Sequence, residues 1–428
     1  MSVHAIGVIG LVIVFVIGTV RPINLGALAL VMTFLVGTIW VGEAPREMVT
    51  GFPVDLFVLL AGVTYLFAVA SSNGTVERIV EGACRLFRDR RALIPWVVFV
   101  VASLPAMAGA IGSAGVAMLA PLSLRLARRY DIDRRMIGLM VVHGAAAGNF
   151  SPLNVLGAIV SQAVARGGLE MSAAALFFGN LAYNTGLAVV IFLVFGGLRL
   201  SGRYDTGALQ LGAPGERSRS SAPGAPQPGA PDKARHVDQI FTVVALVVVA
   251  IAALVFGLNI GFLALAAAVT IQLVFPSSAQ GAETRIAWGV VLLVCGVVTY
   301  VAALQRYGTV QAVGDGLAGL GTPALTALLI CAVGAITSAF ASSAGILGAT
   351  IPLAMPFMAR GEVETTGFVV ALAISATVVD ATPFSTVGAL VVANADDDER
   401  AKVYRGLLIW GAVMVVTAPL ITWLVFVR

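Results

Sequence analysis

Gly148-Asn149-Phe150-Ser151-Pro152-Leu153-Asn154-Val155-Leu156-Gly157 lies deep inside an apolar run, yet it carries two Asn, a Ser and a Pro. A buried amide without a partner is costly in hydrocarbon, and Pro removes a helical donor. The stretch therefore reads as a transmembrane helix broken at its middle, with freed backbone groups facing a cavity. The pattern returns as Asp380-Ala381-Thr382-Pro383-Phe384-Ser385-Thr386-Val387-Gly388. Aligned without gaps, Asn149 meets Asp380, Ser151 meets Thr382, and Pro152, Gly157 and Ala158 meet Pro383, Gly388 and Ala389. Two such breaks, one per half, are the sequence pattern of a substrate site in a secondary transporter.

Composition agrees with an all-α polytopic membrane protein. Of 428 residues, 59% are apolar and only 11% charged, where a soluble chain carries about 25%. The net charge of +4 makes no case for nucleic acid and matters through its placement across the bilayer. Cys84, Cys295 and Cys331 have neither paired nor metal-ligand spacing and read as packing residues. The first apolar segment begins near Ala5 without a basic leader or a small-residue cleavage site, so a retained span is expected.

A span needs about 20 apolar residues, which gives ten candidates. In the first half they are 4–20, 24–42, 54–72, 136–165 and 174–197; in the second, 240–257, 259–276, 286–304, 367–393 and 406–427. Two further runs are too long for one crossing. Residues 92–124 hold no charge, roughly 50 Å as one helix against about 30 Å of hydrocarbon, and their centre is Gly109-Ala110-Ile111-Gly112-Ser113-Ala114-Gly115. The run from Asp315 to Arg360 has Ser338, Ser342, Ser343 and Gly345 at its centre. Each reads as a re-entrant hairpin, about 95–124 and about 322–358; a single kinked span is the alternative. Residues 199–238 are rich in Gly, Pro, Ser and Arg without apolar periodicity, as expected of a flexible cytoplasmic linker between halves 1–198 and 239–428.

Other landmarks repeat in the same order. Val63-Thr64-Tyr65 before Gly74-Thr75-Val76 returns as Val298-Thr299-Tyr300 before Gly308-Thr309-Val310, and Ser113-Ala114-Gly115 returns as Ser343-Ala344-Gly345. With the N-terminus outside, 21 Lys and Arg fall on the cytoplasmic side and five outside. An odd number of crossings per half then makes the second repeat inverted, with the hairpins entering from opposite faces. The five Trp fall near span ends, and 75–91 alternates apolar with charged residues, as an interfacial amphipathic helix does.

Charges inside spans are functional candidates. Asp380, mid-span and three residues before Pro383, must bind a cation or proton or be neutral; the alternative is a structural hydrogen bond. Asn149 offers a neutral carbonyl at the equivalent place. Asp55 reads as a helix cap beside Pro53, and Asn180 and Asn184 as interhelical glue. His143 is either satisfied by a neighbour or part of a proton relay. Two hairpin tips and two breaks would converge near the midplane, where half-helix N-termini suit an anion and unwound carbonyls suit Na+. The candidate substrate-binding residues are Ser113, Gly115, Ser151, Pro152 and Asn154 in the first half and Ser342, Ser343, Thr382, Pro383 and Ser385 in the second. No Arg or Lys stands mid-membrane to clamp a carboxylate. The chain lacks the nucleotide loop, metal cluster or triad of an enzyme and the continuous polar stripe of a channel.

These landmarks resemble the divalent anion:sodium symporters of the ion transporter superfamily, nearest the bacterial malonate/dicarboxylate carrier (MatC-like) branch. Ser151-Pro152-Leu153-Asn154 matches three of four positions of that family's Ser/Thr-Pro-Pro-Asn break, and Thr382-Pro383-Phe384-Ser385 matches two. Gly62-Val63-Thr64-Tyr65-Leu66-Phe67 before Asn73-Gly74-Thr75 is similar to the malonate-carrier branch. The family's Ser-Asn-Thr tips are replaced by Ile111-Gly112-Ser113 and Ser342-Ser343-Ala344. The resemblance implies inward symport of malonate or a C4-dicarboxylate across the plasma membrane by a homodimeric elevator, with no cofactor beyond the coupling ion. It places that ion, Na+ or H+, at tips and breaks: Gly112 and Ala344, with Asn149 and Asp380 as the Na+ candidates. An antiporter, such as a Na+/H+ exchanger using Asp380, is the alternative within the superfamily.

Overall fold

The computed structural model describes all residues except 1, 22, 76–77, 79–90, 202–231, 257, 278, 313–321, 340–341, 362 and 428. Most of the amphipathic segment expected at 75–91 and most of the 199–238 linker thus lie outside the described residues. Among the described residues the structure is helical without strands. The first half runs α1 (Val3–Val20), α2 (Leu25–Val36), α3 (Val54–Ser72), α4 (Ile94–Met107), α5 (Gly112–Arg129), α6 (Arg134–Ala147), α7 (Val155–Arg166) and α8 (Ala173–Val194). The second half runs α9 (Asp232–Phe256), α10 (Ile260–Val274), α11 (Trp288–Arg306), α12 (Pro323–Ser338), α13 (Ser343–Ala359), α14 (Thr365–Val378), α15 (Thr386–Ala393) and α16 (Arg400–Phe426). A π turn, Gly37–Val41, extends α2, and one helical turn, Pro45–Met48, precedes α3.

By length and apolarity, five described segments can cross a membrane alone: α3, α8, α11, α14 with α15, and α16. The other apolar helices are shorter; among them α4, α7, α12 and α13 are short because α4–α5, α6–α7 and α12–α13 are each interrupted at the Gly-, Ser- or Asn-rich centres. The protein is an all-α polytopic membrane protein.

The helices sort into two bodies. One is built from α1, α2, α3, α9, α10 and α11, where α3 packs on α10 and α11 on α2. Each crossing joins the halves, and each begins at an asparagine cap. Asn24 Oδ1 accepts from the N–H groups of Gly26 and Ala27; Asn259 Oδ1 accepts from those of Gly261 and Phe262. Those glycines let the backbones touch. A Cβ on Gly26 would fall 2.0 Å from the Leu292 carbonyl oxygen, and one on Gly62 2.3 Å from that of Gly261.

The second body holds the hairpins, the broken helices, α8 and α16. Here α4 packs on α6 and α12 on α14, while α8 lies on α6 and α16 on α14. The hairpins also exchange partners: α5 packs on α15, and α13 on α7. Its core is nearly continuous and includes Ile137, Met140, Val160, Leu372 and Ile374, each fully buried. Apolar residues of α16 such as Ile409, Val416 and Leu424 are left exposed, as a lipid-facing helix requires.

At one edge of this body ion pairs join Arg128 to Asp396 (3.2 Å) and Arg134 to Glu399 (3.6 Å). Asp133 caps α6 by accepting from the Arg135 N–H at 2.8 Å. Burial works against its charge, but the side-chain and backbone hydrogen bonds of Arg135 hold the carboxyl below its ordinary value. Asp55 stands exposed in the first turn of α3, which has no side-chain cap. Cys295 and Cys331 are buried free thiols, consistent with packing roles.

Candidate functional site

Both breaks are sharp and locally scaffolded. α6 ends at Gly148, and Phe150 takes a left-handed backbone (φ 63°), uncommon for an aromatic side chain, to turn the chain toward Asn154. The Asn154 side chain caps α7 by accepting from the Leu156 N–H at 2.9 Å. At the second break α14 tightens into a 3-10 turn, Val379–Ala381, and Ser385 caps α15 by accepting from the Gly388 N–H at 3.0 Å.

Each break is tied to the turn of the hairpin in its own half. Ser151 Oγ donates to the Met107 carbonyl at 2.8 Å, and Asn154 Nδ2 to the Ala106 and Ala110 carbonyls at 2.8 and 3.2 Å. In the other half Thr382 Oγ1 donates to the Ala339 carbonyl at 2.9 Å. Ser385 Oγ turns inward to the Asp380 and Thr382 carbonyls. These four side chains, candidate ligands for an anion on sequence grounds, spend their donors on backbone carbonyls freed where helices end. Gly109, at the first hairpin turn, has φ 106°, and a Cβ there would fall 3.0 Å from the Leu153 carbonyl, so the turn requires glycine.

Tips and breaks enclose a cavity of about 110 Å³. Of the sequence candidates, Gly112, Ser113, Ser342, Ser343 and Ala344 line it from the tips, and Asn149, Asn154, Asp380 and Ser385 from the breaks. Gly115, Ser151, Pro152, Thr382 and Pro383 do not line it. Gly115 is buried against Pro105, and Pro152 is exposed while Pro383 is buried. Thr386, in the first turn of α15, lines the cavity and was not singled out in the sequence, because a hydroxyl there looks like any helix start. Val290 of α11 is the one lining residue among those described that comes from the first body.

The polar groups of the cavity divide by chemistry. On one side α5 begins at Ile111 with no side-chain cap, leaving its first N–H groups beside Ser113. α13 likewise begins without a side-chain cap, at Ser342. On the other side are acceptors. Ser343 Oγ donates to the Asp380 carboxylate, at 2.7 and 2.6 Å from its two oxygens, and itself receives a hydrogen bond from Ser338 Oγ at 3.1 Å. Asn149 is 5% exposed, and its Oδ1 is buried without a hydrogen-bond partner. Such an orphan acceptor costs about 1–3 kcal/mol unless a ligand satisfies it.

Behind the first break runs a polar chain across three helices. Trp410 Nε1 on α16 donates to His143 Nε2 at 2.8 Å, so His143 carries its proton on Nδ1 and donates to Asn184 Oδ1 at 3.0 Å. Asn184 Nδ2 donates to Asn180, and Asn180 Nδ2 donates to the carbonyls of Ala146 (2.8 Å), Ala147 (3.4 Å) and Asn149 (3.3 Å). His143 is therefore a neutral, fully satisfied link outside the cavity lining, and the two asparagines brace the last turn of α6. Trp410→Phe keeps most of the ring packing but leaves His143 Nε2 buried without a donor. It is expected to cost about 1–3 kcal/mol, read as a lower Tm in detergent. An unchanged Tm would show that the chain carries no stability.

The comparisons with known proteins agree with this architecture. Residues 1–149 match the family model described as the dicarboxylate carrier protein MatC N-terminus. No curated protein matches the chain. Among solved structures, the chain is similar to the YdaH transporter of Alcanivorax borkumensis, whose structure is described as revealing an unusual topology. The TM-score is 0.60 at 14% sequence identity, covering 88% of this chain and 86% of that one. The two proteins share a fold. The MatC match spans α1 to α6 and stops at Asn149, inside the first break.

Proposed function

We propose that the protein is a secondary active transporter, not an enzyme, that carries a small dicarboxylate inward across the plasma membrane by symport with Na+ or H+. One observation carries the reading. Two helix N-termini without side-chain caps, those of α5 and α13, open on a single cavity that holds Asp380 and no Lys or Arg among its described lining residues. Helix N-termini supply partial positive charge and unpaired N–H groups to an anion. Asp380 and the orphan Asn149 Oδ1 supply oxygen acceptors to the coupling cation. The match of the first 149 residues to a dicarboxylate carrier family supports the substrate class, and the fold shared with YdaH supports transport.

An elevator-type movement fits the division into two bodies. Nearly all of the cavity belongs to the body of hairpins and broken helices, and Val290 closes it from the other. Beyond it Leu56, Leu60, Ile159, Val294 and Val298 form an apolar seal between the bodies. The cavity meets α11 near its N-terminal end, which the Lys and Arg distribution puts on the cytoplasmic side, and this supports reading the conformation as inward-facing. A homodimer through the first body is the assembly expected of the family.

Proteoliposomes holding the full chain test the reading. Labelled malonate and succinate should accumulate above equilibrium under an imposed inward Na+ or H+ gradient. Absence of uptake of either acid under both gradients would overturn it.

A further inference from the structure

The division of polar groups inside the cavity limits the ionisation state of what is carried, and this argument rests on the dicarboxylate reading above. A dianion would need two donor-rich ends. Both uncapped termini keep backbone N–H groups, but only the α5 terminus, with the N–H groups of Gly112 and Ser113 and the Ser113 hydroxyl, which has no hydrogen bond among the described residues, stands clear of a carboxylate of the protein. The matching terminus of α13 already faces a carboxylate of the protein itself, since Ser343, the first residue of that helix, gives its hydroxyl proton to Asp380. Asp380 hydrogen-bonds through its side chain to no other described residue. In the same cavity the Asn149 Oδ1, also an acceptor, has no partner among the described residues.

A second substrate carboxylate placed there would meet an acceptor in Asn149 and, whenever Asp380 is ionised, like charge as well. For unit charges about 4 Å apart near a protein surface the repulsion is on the order of a thousandfold in affinity. A group that donates a proton would satisfy both Asp380 and Asn149. We infer that the acid is carried as its monoanion: one carboxylate lies on the α5 terminus, and the second carboxyl, still protonated, donates its O–H toward Asp380 and Asn149. The proton travels as part of the substrate, so each cycle moves one monoanion, that is, one dianion together with one proton, and no group on the protein needs to titrate.

Other charges stand away from this point. The elements packed against the Asp380 turn are α6, α12, α14, α15 and α16, and α13, which carries no charged residue, reaches it through Ser343. No acidic or basic residue lies within 323–338 or 386–393. On the other three, Arg134 and Arg135 begin α6, Glu364 caps α14, and Arg400, Lys402 and Arg405 lie in the first two turns of α16. His143 on α6 is held neutral by Trp410 and Asn184.

The test is malonate counterflow in proteoliposomes with equal pH inside and outside, which removes any driving gradient, followed from pH 5 to pH 8. Malonamate, whose amide donates at every pH, and monomethyl malonate, whose ester cannot donate, serve as competitors. The total malonate concentration for half-saturation should rise about tenfold per pH unit above its second ionisation, following the monoanion fraction. Malonamate should compete with a constant that does not change with pH, and the ester at least tenfold more weakly. A proton bound by Asp380 itself would make malonamate binding pH-dependent too, and that result overturns the inference. So does a pH-independent malonate affinity with inert malonamate, which shows carriage of the dianion and leaves the transport reading standing. Counterflow is run with succinate in the same way, and no exchange of either acid at any pH would remove the transport reading, and this inference with it.

Discussion

Gly296→Val is expected to yield no monodisperse folded protein. Gly296 lies where α11 crosses the start of α2, and a Cβ there would fall 2.1 Å from the Gly26 carbonyl oxygen and 2.5 Å from its carbonyl carbon. Backbone cannot move aside as a side chain can, so the crossing must open, and the Asn24 cap and the Asn24 Nδ2 bond to the Gly289 carbonyl (2.7 Å) open with it. Overpacking of this kind costs typically 1–3 kcal/mol, and more where backbone must shift. Gly296→Ala brings the same Cβ against that carbonyl and is expected to lose folded protein as well, though less completely than valine, which adds two methyl groups. Gly186 supplies the control: on α8 a Cβ there meets nothing within 4 Å, and Gly186→Ala should be neutral or stabilise by about 0.5–1 kcal/mol. Size-exclusion profiles and melting curves of the three variants check the ordering. A well-folded Gly296→Val protein would mean that the α2–α11 contact is not needed for assembly.

The second large effect is expected at Asp380. Asp380→Asn keeps the shape of the side chain and a carbonyl oxygen for the Ser343 hydroxyl, so Tm should change little. It removes the charged acceptor of the cavity, whose hydrogen bonds are worth about 1.5–3 kcal/mol against about half that for a neutral one. That difference of about 0.75–1.5 kcal/mol should lower gradient-driven uptake about 3- to 10-fold at a fixed subsaturating substrate concentration. The measurement is initial uptake rate against pH and against Na+, each varied alone. Unchanged rate and unchanged gradient dependence would reduce Asp380 to a structural partner of Ser343.

What could be read from the residues depended on whether the signal was local. Pro152 and Pro383 beside Asn149 and Asp380 violate helix chemistry within an apolar run, and the helices do end at Ala147 and Val378. The Gly- and Ser-rich centres of the two long runs announce chain reversals for the same reason. One local signal was passed over: Asn24-Leu25-Gly26 and Asn259-Ile260-Gly261 repeat at equivalent places in the two halves, where cap and contact glycine occur together.

The sequence by itself determined a membrane-embedded helical chain with two interrupted spans, two chain reversals and one intramembrane carboxylate, because each of these is a departure from what hydrocarbon tolerates. The tertiary structure alone decided which polar groups are spent and which are free. Ser151 and Asn154 are taken by carbonyls of Met107 and Ala106, and Thr382 by that of Ala339, more than forty residues away in each case. Every residue carries such a carbonyl, so nothing in the residue types marks the partner. Asn149 and Asp380 keep open acceptors because the fold brings them no donor beyond Ser343, and an unfilled valence is a property of distance, which only packing sets.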